Sequence, residues 1–183
     1  EMGVDLMHEQ LSPLFFGRKT GIDVEGEVTG LLPSTAWKRR AYKRPELQKW
    51  YAGETISLGI GQGYNNFTML QLASATATLV AGGQRFEPRL VREIEAAAKR
   101  TKSSPKAEAL TPLPYDPEHV ALIKRALHGV TQEGTSVRSF ANAPYKTGGK
   151  TGTAQAVGIK ANQKYDASKM EEHKRDHSLY IAV

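Results

Sequence analysis

The chain has 183 residues, 39% of them apolar and 24% charged, enough for one domain with a real core and unlike a disordered or fibrous polypeptide. It has no cysteine, which excludes a disulfide framework and thiolate-metal sites and leaves the redox compartment open. The net charge is +6, and most of it is local: "WKRRAYKRPELQKW" (37 to 50) holds six basic residues against Glu46. Basic residues interleaved with Trp37, Tyr42 and Trp50 could meet nucleic acid or lipid headgroups. No nucleic-acid motif accompanies them, so a solvated surface segment is expected. No apolar run approaches the length of a membrane helix. Both ends read as cut: Glu1 leads straight into a helical pattern, and Val183 ends the strand-like run "HSLYIAV". A fragment is expected, with any anchor outside it.

In chain order, Asp5 is positioned to cap a short helix carrying Met7 and Leu11, stopped by Pro13 and Gly17. "TGIDVEGEVTGLLP" (20 to 33) is extended and turn-rich. After the basic segment, "ETISLGIGQGYNNF" (54 to 67) reads as a tight loop that allows close backbone approach. Thr68 and Gln71 have capping-box spacing and open a helix in which Met69, Leu72, Ala73, Thr76 and Val80 recur at helical intervals until Gly82-Gly83. Its small apolar residues predict burial on more than one side. "RFEPRLVREIE" (85 to 95) predicts a strand, with Pro88 at an edge or bulge. Residues 97 to 115 read as a mobile connector. Asp116-Pro117-Glu118 starts a helix with Val120, Ile123, Leu127 and Val130 as its apolar stripe, and Gly129 helps to end it. "GTSVRSF" (134 to 140) allows a further turn of helix.

The richest stretch is "PYKTGGKTGTAQ" (144 to 155). It contains Gly149-Lys150-Thr151, the ending of a phosphate-binding P-loop, and two Lys-Thr-Gly triads. A P-loop needs glycine at 144, where Pro144 has no N–H to offer, and a helix after the threonine, where "GTAQAVG" is no helix start. A Lys-Thr-Gly strand is chemically coherent in another way. The ammonium holds a substrate carboxylate, the hydroxyls hydrogen-bond it, the glycine lets the substrate lie against the strand, and the next N–H meets a developing oxyanion. The second copy is preferred, because Thr153-Ala154-Gln155-Ala156-Val157 can continue as a strand with Thr151 and Thr153 on one face. The first copy runs into Gly149. A lone triad is also compatible with an ordinary glycine-rich turn.

Several blocks in one order carry more weight than the triad alone. "TGIDVEGEVTGLLP", "SLGIGQG", "TMLQLASATATLVAGG", "GVTQEGTS" and "ANAPYKTGGKTGTAQ" together resemble the penicillin-binding transpeptidases over essentially the whole chain. "KANQKYDA" and "RDHSLYIAV" are more similar to the elongation type than to the division type. The resemblance implies an α/β-layered fold of the serine β-lactamase kind, with a central antiparallel sheet flanked by helices and incomplete here. Residues 1 to 183 would then be the C-terminal portion of one transpeptidase domain. It implies a serine acyl-enzyme that cross-links peptidoglycan stem peptides and is blocked by β-lactam antibiotics, with no cofactor and no metal. Lys150 would support substrate binding and the proton network. Thr151, Gly152 and Thr153 would bind substrate, and the Thr153 N–H would complete the oxyanion hole. Also implied are a periplasmic location on an inner-membrane anchor and partners that include a membrane glycosyltransferase and elongation-complex proteins, with no nucleic acid.

That chemistry needs S-x-x-K and S-x-N, which the family carries upstream of the first block here. Ser103-Ser104-Pro105-Lys106 and Tyr64-Asn65-Asn66 mimic the spacings, but one lies in the connector and the other between a loop and a helix cap. The chain is therefore expected to lack the nucleophile, to resist acylation on its own and to be poorly stable without the remainder. His173 and His177, with Glu172 and Asp176 nearby, have helical zinc-ligand spacing but no apolar face to fix them. A β-lactamase-like hydrolase, a division-type enzyme and a basic binding module using residues 37 to 50 stay open as alternatives.

Overall fold

The computed structural model describes residues 2–96, 101–106, 108–158 and 165–183. Helices α1 (Val4–Leu11), α2 (Thr35–Ala41), α3 (Pro45–Gln48) and α4 (Ala52–Gly59) precede the 12-residue α5 (Met69–Val80); α6 (Pro117–Gln132) and α7 (Val137–Phe140) follow. Three antiparallel two-stranded sheets are described: β1 (Arg85–Phe86) with β4 (Ala109–Leu110), β2 (Ile94–Ala96) with β3 (Thr101–Ser103), and β5 (Gly149–Ala154) with β6 (His177–Ala182). Helices lie against the antiparallel β5–β6 ribbon, with α6 beside β5 and α5 beside β6.

The organising helix is α5. Thr68 accepts from the Gln71 N–H at 3.1 Å, and the Gln71 side-chain oxygen accepts from the Thr68 N–H at 2.9 Å, so the expected capping box forms. At its other end Gly82 takes φ +69°, and the N–H groups of Gly83 and Gly82 return to the carbonyls of Thr78 and Leu79, a Schellman closure. Gln71 also does something that no local pattern indicates. It is fully buried, at 0% exposure, and its Nε2 lies within 3.0 Å of the carbonyls of Phe15, Arg18 and Thr29. One side-chain amide thus ties the turn-rich first segment to α5.

Several expectations are corrected. Asp5 does not cap its own helix, because Gly3 occupies that position. Its carboxylate instead accepts from the Thr35 N–H at 2.9 Å and the Thr35 hydroxyl at 2.7 Å, at the start of α2. The Thr35 N–H, with its hydroxyl second, holds the Asp5 carboxyl below the usual carboxylate range. A depressed folded-state pKa contributes stability above the unfolded value, which is lost as pH falls through the folded one. Asp5→Ala is expected to cost about 1 kcal/mol at neutral pH. The difference should shrink from about pH 4 downward, as followed by urea midpoints of the intact protein.

Residues 54 to 59 are helical, within α4, and the loop begins only at Ile60. The α5 helix buries one face, at Gln71, Ala75 and Thr78, and leaves Met69 56% exposed. The run from 85 to 95 is strand only at its two ends, and Pro88 lies in the interruption. The 97–115 segment is not only a connector: Thr101–Ser103 and Ala109–Leu110 both pair as strands, while residues 97–100 and 107 lie outside the described ones. Helix α6 continues through Gly129 to Gln132, and Ile123 on its expected apolar stripe stays 38% exposed.

The basic segment is less solvated than expected. Lys38 is 3% exposed and forms an ion pair with Glu54. Its ammonium donates to the Lys49 carbonyl at 2.7 Å and lies 5.3–5.7 Å from the ring centroids of Trp50, Tyr51 and Tyr64. Trp37, Tyr42 and Trp50 pack around Tyr64, with centroids at 5.0, 6.5 and 6.0 Å. The interleaved aromatics hold α2, α3 and α4 together. Burial raises the Glu54 carboxyl, but hydrogen bonds from Lys38, the Tyr51 N–H and Tyr64 outweigh it and leave the group low. The Tyr42 hydrogen bond, burial and that carboxylate push the Tyr64 phenol well above its ordinary value.

Candidate active-site wall

The two Lys-Thr-Gly copies have different structural fates. In the first, the Thr147 carbonyl accepts from the Thr131 hydroxyl at 2.7 Å and lies 2.9 Å from His128 Nδ1, while the Thr147 hydroxyl donates to the Val183 carbonyl at 2.8 Å. A Cβ on Gly148 would sit 2.8 Å from the Leu127 carbonyl carbon and 2.9 Å from the His128 nitrogen. This copy fastens the strand to α6, and its glycine is required by close backbone packing. Gly149 is required as well, since a Cβ there would strike the Tyr180 ring and the Ile181 carbonyl. Tyr180 in turn stacks on Phe140, with centroids 6.0 Å apart.

The second copy lies within β5, and Lys150, Gly152 and Thr153 are exposed. Gly152 has no such internal requirement. Its φ is not positive, and among the described residues the nearest atom to an added Cβ is Leu179 Cβ at 3.8 Å. The space beside it is open.

The register decides which way the backbone faces. Gly148 and Val183 exchange both N–H···O bonds, at 2.9 Å each. Antiparallel pairs alternate between bonded and non-bonded positions. Continuing from Gly148↔Val183, the bonded pairs are Lys150↔Ile181, Gly152↔Leu179 and Ala154↔His177, and the non-bonded pairs include Thr151↔Tyr180 and Thr153↔Ser178. Thr151 and Thr153 therefore turn their N–H and C=O groups away from β6, toward the edge of β5 that no other described strand covers. Two side chains lie on that edge. Lys150 Nζ donates to the Thr151 carbonyl at 2.7 Å, and Gln62 Nε2 donates to the Thr153 carbonyl at 3.0 Å. With both carbonyls occupied, the outward N–H groups of Thr151 and Thr153 make the edge a donor surface, suited to a carboxylate or a developing oxyanion.

Behind the strand, β5, β6 and the exposed face of α5 enclose an open cavity of about 810 Å³. Met69, Leu72, Val80, Leu179 and Ile181 make it mostly apolar, and Lys150 and Thr153 are among the residues that line it. The volume falls within the range of ligand sites.

The P-loop reading fails on geometry, because Gly149, Lys150 and Thr151 are consecutive residues of one strand that runs on to Ala154 instead of opening a helix. The mimics of the missing motifs fail as well. Ser103 ends the exposed strand β3, and Lys106 follows it in non-helical chain, so no helical turn brings the two together. Tyr64 belongs to the aromatic cluster, while Asn66 bridges Leu31 through the backbone. His173 lies in a short 3-10 turn and pairs with Glu171, whereas His177 opens β6, so the two share no helix. Gln62 is the site residue that sequence reasoning missed. Its only local signal was its place between Gly61 and Gly63.

A family model for the penicillin binding protein transpeptidase domain matches residues 1–182. The chain belongs to the penicillin-binding protein transpeptidase domain family. The peptidoglycan D,D-transpeptidase MrdA of Haemophilus influenzae is 37% identical over 185 residues, covering 99% of this chain and 27% of that protein. Among solved structures, Pseudomonas aeruginosa PBP2 in complex with WCK 5153 superposes with a TM-score of 0.69 at 31% identity, over 98% of this chain and 36% of that one. A chain from a structure of a peptidoglycan synthase complex that coordinates polymerization and crosslinking gives 0.65 at 34% identity, over 85% of this chain and 24% of its own. The expected α/β transpeptidase fold is borne out, and the chain spans just over a quarter of the curated relative's length.

Proposed function

We propose that this chain is the C-terminal portion of one transpeptidase domain, residues 1 to 183, in a peptidoglycan D,D-transpeptidase of the elongation type. The supporting observation is the outward edge of β5 at Thr151–Thr153, where Gly152 leaves the approach open without serving any internal packing need. An extended stem peptide ending in D-Ala-D-Ala adds to that edge as a strand, held by main-chain hydrogen bonds. Lys150 and the hydroxyls of Thr151 and Thr153 bind its terminal carboxylate. The serine, supplied by S-x-x-K outside residues 1 to 183, attacks the penultimate carbonyl. The Thr153 N–H stabilises the oxyanion, the C–N bond breaks, and D-alanine leaves with a proton. The amine of a second stem peptide then displaces the serine oxygen. A β-lactam enters the same acylation step. By family resemblance the enzyme is periplasmic on an inner-membrane anchor and works with a membrane glycosyltransferase and other elongation proteins.

Intact-mass measurement after exposure to benzylpenicillin tests this. A stable adduct is expected on the full-length protein and none on residues 1 to 183 alone. An adduct on the isolated chain would place the nucleophile within it. Rapid turnover of a chromogenic β-lactam by the full-length protein would make it a hydrolase instead.

A further inference from the structure

Gln62 lies 91 residues from the strand it touches, and its support is well defined. Helix α4 ends in a Schellman closure: Gln62 N–H returns to the Ser57 carbonyl and Gly61 N–H to the Leu58 carbonyl, both at 2.9 Å. Gly61 and Gly63, on either side of Gln62, both take left-handed φ, +77° and +73°. A Cβ on Gly63 would crowd Ser57 Cβ at 3.3 Å. The loop beyond is held by Asn65, whose side chain donates to the Leu58 carbonyl at 3.3 Å, and by the packing of Tyr64. The Gln62 side chain is therefore presented to the β5 edge from a fixed backbone.

The carbonyl it occupies is not spare. Thr153 turns its N–H and C=O to the same side. A peptide that adds as a strand and places its scissile carbonyl at the Thr153 N–H must also satisfy the Thr153 C=O with an N–H of its own. Gln62 Nε2 already fills that position. Resting on the transpeptidase reading, we propose that Gln62 is a specificity-determining residue. Its side-chain amide stands in for the ligand's amide N–H at the Thr153 carbonyl and gives up that carbonyl when an acyl-amino ligand binds. An acyl-amino ligand must displace this hydrogen bond to make its own, so Gln62 lowers what such a ligand gains at the Thr153 carbonyl while it keeps that edge carbonyl satisfied until one arrives. A ligand without that N–H leaves the Gln62 bond intact and gains nothing from its removal.

The test uses the full-length enzyme with Gln62, Gln62→Ala and Gln62→Met. The methionine keeps the side-chain length without a donor, and thermal midpoints check that each variant folds. Second-order acylation rates are measured for benzylpenicillin, whose side-chain amide carries the N–H, and for unsubstituted penicillanic acid, which lacks it. Both variants are expected to raise the benzylpenicillin rate relative to the penicillanic acid rate by about two- to tenfold, the range that loss of one competing hydrogen bond allows. Equal changes for the two compounds, in either direction, would overturn the proposal while leaving the transpeptidase reading in place. No acylation of the unmodified enzyme by either compound would remove that reading, and the Gln62 proposal with it.

Discussion

On the proposed transpeptidase reading, Lys150→Ala in the full-length protein is expected to slow acylation by benzylpenicillin by about 10²- to 10³-fold, comparable to the loss of one preorganised electrostatic group. Lys150 is exposed and lines the cavity, and it lies on β5 beside the outward N–H groups of Thr151 and Thr153. Removing it takes the ammonium from the place where a ligand carboxylate would bind and frees the Thr151 carbonyl that it now occupies. Because the side chain is exposed, folding stability should change by no more than about 0.5 kcal/mol. Lys146→Ala is the matched control. Lys146 is also exposed and also opens a Lys-Thr-Gly, but it lies before β5, where Thr147 and Gly148 fasten the chain to α6. Its acylation rate should stay within about twofold, since a solvated charge off the strand is screened from the site. Stopped-flow or intact-mass time courses separate the two. Equal losses in both variants would mean that general positive charge matters rather than the strand position.

Gln71→Leu is expected to destabilise the intact protein by about 3–5 kcal/mol, measured from denaturant midpoints. The leucine fills a similar volume, so the cost is not a cavity. It comes from stranding the buried Phe15 carbonyl, together with the part-buried carbonyls of Arg18 and Thr29 and the part-buried Thr68 N–H, around a side chain that is itself fully buried. Each buried polar group left without a partner costs about 1–3 kcal/mol, and neighbouring losses do not add fully. Gln71→Glu probes the same amide differently. Its carboxylate still accepts from Thr68 but cannot donate to the three carbonyls. A loss as large as the leucine variant's would locate the stabilisation in the Nε2 contacts. A negligible loss in the glutamate variant, beside a loss of only about 1 kcal/mol in the leucine variant, typical of a helix cap, would mean that the capping box alone matters.

Gln71 also illustrates how much was legible in the sequence. Its capping role followed from spacing, because Thr68 and Gln71 are three residues apart and a helix must satisfy its first N–H groups locally. Its second role joins it to carbonyls 42 to 56 residues away, which no local pattern encodes. Lys38 shows the same limit. A basic run predicts solvation, yet one of its six basic residues finds a carboxylate and three aromatic faces and is buried. At Pro88 the local rule understates the effect: it predicts one strand with an edge or bulge over 85 to 95, whereas the chain breaks there into β1 and β2, which pair in different sheets.

The sequence by itself determined the helix starts at Thr68 and Asp116, the glycine stop after α5, the preference for the second Lys-Thr-Gly and the family, because caps, turns and motif order are short-range properties of the chain. Only the tertiary structure decided where each triad lies and which way it faces. Packing against α6 made Gly148 a structural glycine, and the β5–β6 register turned Thr151 and Thr153 to the open edge. It alone brought Gln62 to the Thr153 carbonyl across 91 residues. Strand pairing is a long-range choice in which a shift of one residue reverses every group's direction, so the identity of the edge is set by the partner strand and not by the residues that line it.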